Sequence, residues 1–309
     1  LDEFTDGAPL YSLKGQRFMH QEGETWPLEL TEAEQAKGLG MWEDYIAAYF
    51  SEFGDPRAGT FPTPEAAERY DGMTWADYLR EKGASEDWLR LYQSDNGSEV
   101  DRIGALAWMA QEIADQNWGR TYHIRGGNDQ LADALLSCLG RRVLLEREVL
   151  RIDHFDRRVR VTFECHGRRE SMVADHVVCA IPFTALRRIE IRPGLAEDKA
   201  QAIEELYMMP ASRSALQTDT RFWKAEGIGG LKVAKTDTPA ERIWDMSNVL
   251  TGDRGMLLAY LQDENALALE AQPEDARLEY ILQQIEPFFP EIRNEVISSC
   301  HKCWNEDPW

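Results

Sequence analysis

The feature that most limits what this chain can fold into is a switch in apolar spacing at Thr121, from helical to strand-like, reversed after Pro182. Before Thr121, Thr31 and Glu34 have the spacing of a capping box. Leu39, Trp42, Tyr45, Ile46, Tyr49, Phe50 and Phe53 then follow near the helical period, predicting one long helix with an aromatic face. The Pro- and Gly-bearing stretch Pro56 to Pro64 reads as a loop. Further helices are expected from Thr74 to Gly83, Ser85 to Tyr92 and Ile103 to Trp118. Leu1 to Met19, broken by Gly7-Ala8-Pro9 and Gly15, reads as extended chain or a hairpin.

After the switch, Thr121 to Ile124 reads as a strand and Arg125-Gly126-Gly127-Asn128-Asp129 as a turn. Leu131, Leu135, Leu136 and Leu139 mark an amphipathic helix ended by Gly140. Strands are expected at Val143–Leu145, Val149–Ile152, Val159–Phe163, Ser171–Val173 and Val177–Ile181. The rest reads as a helix from Ala196 to Leu206, strands at Ser212–Thr218 and Gly255–Leu261, a helix over Pro273–Ile285 and a closing strand from Val296 to Trp304. The expected class is α+β, with a βα unit and a small antiparallel sheet inserted in a mostly helical and mixed-sheet body. The divisions fall at residues 1–120, 121–183, 184–303 and 304–309.

Composition narrows the partners. Against 34 Lys and Arg stand 55 Asp and Glu, a net charge of −21, so a nucleic-acid backbone would meet repulsion and no such partner is expected. That field tolerates or mildly steers a cationic ligand. The five cysteines are odd in number and too sparse to staple the chain, and read as reduced thiols. No run approaches a membrane span and no basic and apolar leader opens the sequence, so a cytoplasmic location without membrane contact is expected. Both ends, Leu1 and Trp309, read as cuts in a longer chain.

No hydrolase, zinc-protease, phosphate-loop or Gly-x-Gly-x-x-Gly signature is present; Gly38-Leu39-Gly40 and Gly227-Ile228-Gly229-Gly230 lack the third glycine and read as turns. Cys300-His301-Lys302-Cys303 has no second ligand pair, and neighbouring side chains in a strand face opposite ways, so no metal site is expected. Arg125-Gly126-Gly127 before a helix allows either a plain junction or close backbone approach to a polar ligand at free helix amides.

The stretch from His123 to Trp309 resembles the flavin-containing amine oxidase superfamily of monoamine, polyamine and L-amino-acid oxidases. The marks, in order, are Gly126-Gly127-Asn128-Asp129-Gln130-Leu131, Val143-Leu144-Leu145 with Val149 and Ile152, Val159-Arg160-Val161, Ala174 to Pro182, Ile189 to Pro193, Phe222-Trp223, and Trp304 with Asp307-Pro308-Trp309. The resemblance implies FAD as cofactor. It also implies transfer of a hydride from the amine-bearing carbon of an amine or amino acid to flavin N5, with oxygen then reduced to hydrogen peroxide.

By position in that pattern, Gly126, Gly127, Val149 and Pro182 fall in the cofactor-binding segment, Val149 through its backbone or else as an ordinary sheet valine. Gln130 falls where a side chain reaches substrate, or is a solvated helix residue; Trp304 supports the flavin, or is a core tryptophan. Arg213 stands where the family commonly has a lysine that holds a water near N5, and the run from Arg213 to Gln217 resembles bacterial amino-acid oxidase-like sequences. The family's Gly-rich N-terminal flavin loop and its last flavin segment are not in this sequence. The resemblance therefore implies the central part of an oxidase, completed by a homodimer or companion chains, or else a non-catalytic binding or assembly fragment that cannot hold FAD alone.

Overall fold

The computed structural model describes residues 7–308 except Glu22, Ala48, 116–123, Arg125, Asn248, Val249 and Thr251. The described residues form two compact units, one within Leu1–Tyr122 and Pro210–Glu306, the other within His123–Met209 and Asp307–Trp309.

The first unit opens with the hairpin β1 (Leu10–Leu13) and β2 (Gln16–Met19), turned by Lys14 and Gly15 at positive φ. Seven short helices follow: α1 (Glu32–Lys37), α2 (Trp42–Tyr45), α3 (Tyr49–Phe53), α4 (Pro64–Tyr70), α5 (Trp75–Glu81), α6 (Glu86–Asn96) and α7 (Ala105–Asp115). The expected capping box forms, with Thr31 accepting from the Glu34 amide. The Glu34 carboxylate does more than cap, because it also accepts from Tyr45 Oη at 2.7 Å and the Ser85 amide at 2.8 Å, tying α1 to α2 and to the start of α6. Burial works to raise its pKa, but those donors outweigh it and hold the group below the usual carboxylate range.

The single long helix expected from Thr31 to Phe53 is corrected to short pieces. Gly38 adopts φ +54°, and any Cβ there would lie 2.8 Å from the Trp26 ring, while its carbonyl accepts from Trp88 Nε1 at 2.8 Å. Local backbone demand thus overrides the apolar period. The stretch ending at Pro64 likewise leads directly into α4, capped by Thr63 with Pro64 in its first turn. Of the expected helix from Ile103 to Trp118, the last three residues lie outside the described set. Trp75, Tyr78, Trp88 and Phe53 are fully buried where α3, α5 and α6 meet.

The second unit contains α8 (Gln130–Leu139), β3 (Glu148–Phe155), β4 (Arg158–Cys165), β5 (Arg168–Ala174), α9 (Phe183–Leu186), β6 (Glu190–Arg192) and α10 (Glu197–Glu205). β3, β4 and β5 pair antiparallel as expected, and β6 adds a parallel strand beside β3. Two expected strands do not form: Val143–Leu145 and Val177–Ile181 have no ladder, and Leu144, Leu145 and Val178 are exposed. An apolar run signals a surface to be covered, not a hydrogen-bonded partner. The expected strand at Thr121–Ile124 lies outside the described residues except for Ile124, which is not in a strand.

The chain returns to the first unit with β7 (Ala211–Thr218), β8 (Lys232–Thr236), β9 (Arg242–Asp245), β10 (Gly255–Gln262), α11 (Asp263–Glu270), α12 (Arg277–Ile285), α13 (Ile292–Glu295) and β11 (Val296–Cys303). These strands and the hairpin form a mixed sheet in the order β11-β7-β10-β9-β8-β1-β2. Leu216, Ile243, Leu257, Ala259 and Leu261 point one way into a core shared with Ile281, Ile285, Phe288 and Phe289. The alternate residues, among them Met256, Leu258 and Tyr260, form a half-buried opposite face. No helix among the described residues is long and apolar enough to cross a membrane.

The C-terminus of α6 is pinned to that opposite face. Lys232 Nζ donates to the Asp95 carbonyl at 2.6 Å and to its carboxylate at 2.7 Å, Lys235 Nζ lies 2.9 Å from the same carboxylate, and Arg242 Nη1 donates to the Asn96 carbonyl at 2.8 Å. Cations at a helix C-terminus meet its free carbonyls and negative end. Burial would raise the Asp95 pKa, but Lys235 and Lys232 outweigh it and lower it. Gly97 ends the helix at φ +104°, and a Cβ there would lie 1.7 Å from Gln262 Oε1, which also accepts from Arg242 Nη2 at 2.5 Å.

Two stability predictions follow from this junction. Gly97→Ala is expected to cost at least about 2 kcal/mol, from left-handed strain plus overpacking, read as a lower denaturant midpoint; an unchanged midpoint contradicts the tight junction. Asp95→Asn is expected to cost about 2 kcal/mol at neutral pH by leaving two lysines uncompensated. Because the folded pKa of Asp95 is lowered, its contribution is present above the unfolded value and fades as pH falls below about 4. Wild type and Asp95→Asn therefore converge in acid, as a denaturation series across pH reads directly.

Candidate active site

On the half-buried sheet face, cross-strand register lines up one continuous row. Lys302 lies opposite Arg213, Arg213 opposite Tyr260, Tyr260 opposite Arg242, Arg242 opposite Lys235, Lys235 opposite Tyr11 and Tyr11 opposite Phe18. Directly opposed residues project from the same face, so β geometry alone collects these side chains. Cations and rings interleave. Lys302 Nζ lies 5.0 Å from the Trp304 ring centroid, the guanidinium carbons of Arg213 and Arg242 each lie 5.1 Å from that of Tyr260, and Lys235 Nζ lies 5.5 Å from that of Tyr11. All fall within cation–π range.

The two ends of the row differ. Arg242 and Lys235 are spent on α6, whereas Arg213 is exposed and Trp304 is 51% exposed just past β11. Arg213 and Trp304, both singled out from the sequence, are thus linked through Lys302. Their neighbours in the row, Tyr260, Arg242 and Lys302, were not singled out from the sequence. The Lys302-x-Trp304 spacing and the alternation in Gly255 to Gln262 were the available signals, but neither tells which strand lies beside which.

The Cys300–Cys303 run behaves as alternation requires, with Cys300 exposed and Cys303 buried. His301 Nδ1 bonds with Ser214 Oγ at 2.9 Å, and burial, with Arg277 nearby, holds its pKa below the usual histidine value. Among the described residues no group of three His, Cys, Asp or Glu could hold a metal.

The remaining sequence candidates belong to the second unit. Arg125 lies outside the described residues, but Gly126 and Gly127 follow at φ +92° and +119° and lead into α8, whose N-cap Asp129 makes no side-chain capping bond. A side chain at either glycine would be strained, and its Cβ would crowd Gln130 or Asp129 at 2.3 Å. The amides here are largely engaged, Gly127 N–H donating to the Ile124 carbonyl at 3.0 Å, Gln130 N–H to the Gly127 carbonyl at 3.4 Å and Leu131 N–H to the Asn128 carbonyl at 3.1 Å, so what the two glycines leave is room for close backbone approach. Gln130 is exposed in the first turn of α8. Val149 is half-buried in β3, and the β6 ladder begins only at Arg151, so that edge of Val149 has no strand beside it among the described residues. Pro182 is exposed at the start of α9, its carbonyl accepting from Leu186 at 2.8 Å. Trp309 lies outside the described residues.

Comparison with known proteins places this geometry. The flavin-dependent L-tryptophan oxidase RebO of Lentzea aerocolonigenes is 29% identical over 218 residues, 67% of this chain and 44% of that protein. The L-amino-acid oxidase of Echis ocellatus is 32% identical over 198 residues, 62% of this chain and 38% of that protein. The chain spans less than half the length of these relatives. Putrescine oxidase bound to putrescine matches all of this chain and 69% of its own, with a TM-score of 0.79 at 18% identity; the cyclohexylamine oxidase of Brevibacterium oxydans matches 99% and 68%, with a TM-score of 0.76 at 20% identity. At such identities the structural likeness shows the fold. The model of the flavin-containing amine oxidoreductases matches residues 36–309, and the chain belongs to that family.

Proposed function

We propose that the chain supplies the substrate-binding unit and one flavin-binding segment of an FAD-dependent oxidase of amines or L-amino acids. In this reading residues 1–120 and 184–303 contribute to the substrate domain, 121–183 belong to the FAD domain, and 304–309 begin the return to it. The observation that carries the reading is the half-buried sheet face, where Arg213, Tyr260, Lys302 and Trp304 join fixed cations to aromatic rings. A surface of that kind offers a small ligand flat apolar contact and fixed positive charge, and in the assembled oxidase it would set that charge beside the reacting centre.

FAD, when bound, supplies the acceptor for the two electrons of the amine-bearing C–H bond, and oxygen is the final acceptor. The protein's part is positional. Trp304 and Tyr260 offer flat apolar walls, and Arg213 offers a permanent cation that orients water or favours negative charge at the reacting edge. The Gly126–Gly127 turn, the open edge at Val149 and the exposed Pro182 are proposed as cofactor contacts, and Gln130, in the same segment, as a substrate contact.

The exposed apolar face of the second unit bears on how the cofactor site is completed. Leu131, Leu135, Leu136 and Leu139 of α8 are each at least 38% exposed, and no residue of that helix is buried. An amphipathic helix with its apolar side uncovered needs further protein against it. Companion chain, from the same polypeptide or a second one, is the proposed cover.

Two measurements test the reading. The 309-residue chain alone is expected to retain no FAD through gel filtration, and a longer protein containing it to elute yellow; stoichiometric FAD on the isolated chain overturns the proposed assembly. In the flavin-loaded protein, Arg213→Met is expected to lower turnover or reoxidation at least about tenfold with flavin content unchanged. Wild-type rates in both half-reactions would leave Arg213 a structural residue.

A further inference from the structure

We propose that Arg277 is a positioning residue for Trp304: through a two-point pair with Glu306 it fixes the turn that carries the Trp304 ring, and so sets how that ring meets the flavin. The inference rests on the function proposed above and adds a residue that neither the sequence pattern nor the cross-strand row picks out.

Trp304 needs such an anchor. The ladder between β11 and β7 ends at Cys303 opposite Ser212, so Trp304 lies one residue past the last strand pairing. It opens the short turn Trp304–Glu306, and its side chain is half exposed. A ring placed there is not oriented by a surrounding core, so its backbone has to be held if its direction is to be fixed. Both residues that follow it are tied down by their side chains. Asn305 Nδ2 donates to Glu270 Oε1 at 3.4 Å, and the Glu306 carboxylate accepts from one guanidinium at both oxygens, from Arg277 Nη1 at 3.1 Å and from Arg277 Nη2. The next residue, Asp307, belongs to the second compact unit, so the pair holds the last turn of the first.

The other bonds of Arg277 show which part of it serves the fold. Its Nε donates to the Gln272 carbonyl at 3.3 Å and its Nη2 to the Glu270 carbonyl at 3.3 Å, at the C-terminal end of α11, where free carbonyls favour a cation. Those two bonds join α11 to α12. The bonds to Glu306 reach out of that helix pair to the exit turn. Arg277 is also the first residue of α12, an end where the helix's partial positive charge disfavours a cation, and a local rule broken in this way marks a residue kept for another task. Only the fork of an arginine presents paired donors to one carboxylate while also reaching two carbonyls; a lysine offers a point charge. The Arg277 side chain is 9% exposed, so the guanidinium is shielded from the water that weakens ordinary surface pairs.

Glu306→Ala removes the partner on the turn and leaves Arg277 on α11, whereas Arg277→Lys keeps the charge and loses the fork. In the flavin-loaded protein each is expected to keep its flavin content, to alter the visible circular dichroism of the flavin, and to slow flavin reduction at saturating amine or amino acid at least about fivefold. Adding Glu306→Ala to Trp304→Leu is expected to cause no further loss, because the pair acts through that ring. In the 309-residue chain without flavin, the Trp304 indole N–H resonance, identified by its disappearance in Trp304→Leu, is expected to shift or broaden in Glu306→Ala while the denaturation midpoint stays unchanged. Additive losses in the double variant, wild-type reduction rates in Glu306→Ala, an unmoved Trp304 resonance or a lowered midpoint each contradict the inference and leave Arg277 a structural residue. A Trp304→Leu protein with wild-type flavin spectrum and rates overturns the inference while the oxidase reading stands. A flavin-loaded wild type that oxidises neither amines nor amino acids overturns the oxidase reading, and the inference about flavin with it.

Discussion

One face of the mixed sheet is sealed by α11, α12 and the Phe288–Phe289 pair, and that one-sided burial governs what the other face can be. Because side chains alternate along a strand, burying Leu257, Ala259 and Leu261 sends Met256, Leu258 and Tyr260 to the opposite side. Register then does what no single strand can. It sets Arg213 between Lys302 and Tyr260, and Arg242 between Tyr260 and Lys235. A slip of one residue in any strand would send its member of the row into the apolar core, so the site is as well specified as the core itself.

The row is also where fold and site share residues. Arg242 and Lys235 neutralise the end of α6, and Gly97 lets that end approach closely enough for Gln262 to accept from Arg242. Substitutions at this end act first on stability. Those at Arg213, toward the exposed end, are expected to cost the fold little, since Arg213 holds no helix in place. The row is therefore graded along one line, structural where it is buried and free of helix contacts where it is open.

Much of the secondary structure was legible in the sequence because it rests on local chemistry. The Thr31–Glu34 capping box, the hairpin turn at Gly15, the helix ended by Gly140 and the strands from Ala211, Gly255 and Val296 all follow from period, cap or glycine. The failures are equally physical. Gly38 breaks a helix whose apolar pattern runs on, because Trp26 and Trp88 close around its backbone. Val177–Ile181 is apolar without being a strand, since a run of apolar residues announces a surface and says nothing of its partner. Arg213 and Trp304 stand out by resemblance alone, and that Tyr260, Arg242 and Lys302 lie in line with them could not be read, because which strands lie side by side is a long-range fact that no window of sequence contains.

The central claim is that the outward face of this sheet, at the Arg213 end, meets the reacting groups. The most direct measurement is an experimental structure of the flavin-loaded protein with an amine or amino-acid ligand bound. The account predicts the flavin ring facing the row, with its reacting edge beside the Arg213 guanidinium. A flavin ring bound away from this face, with Arg213 turned to solvent, would contradict it.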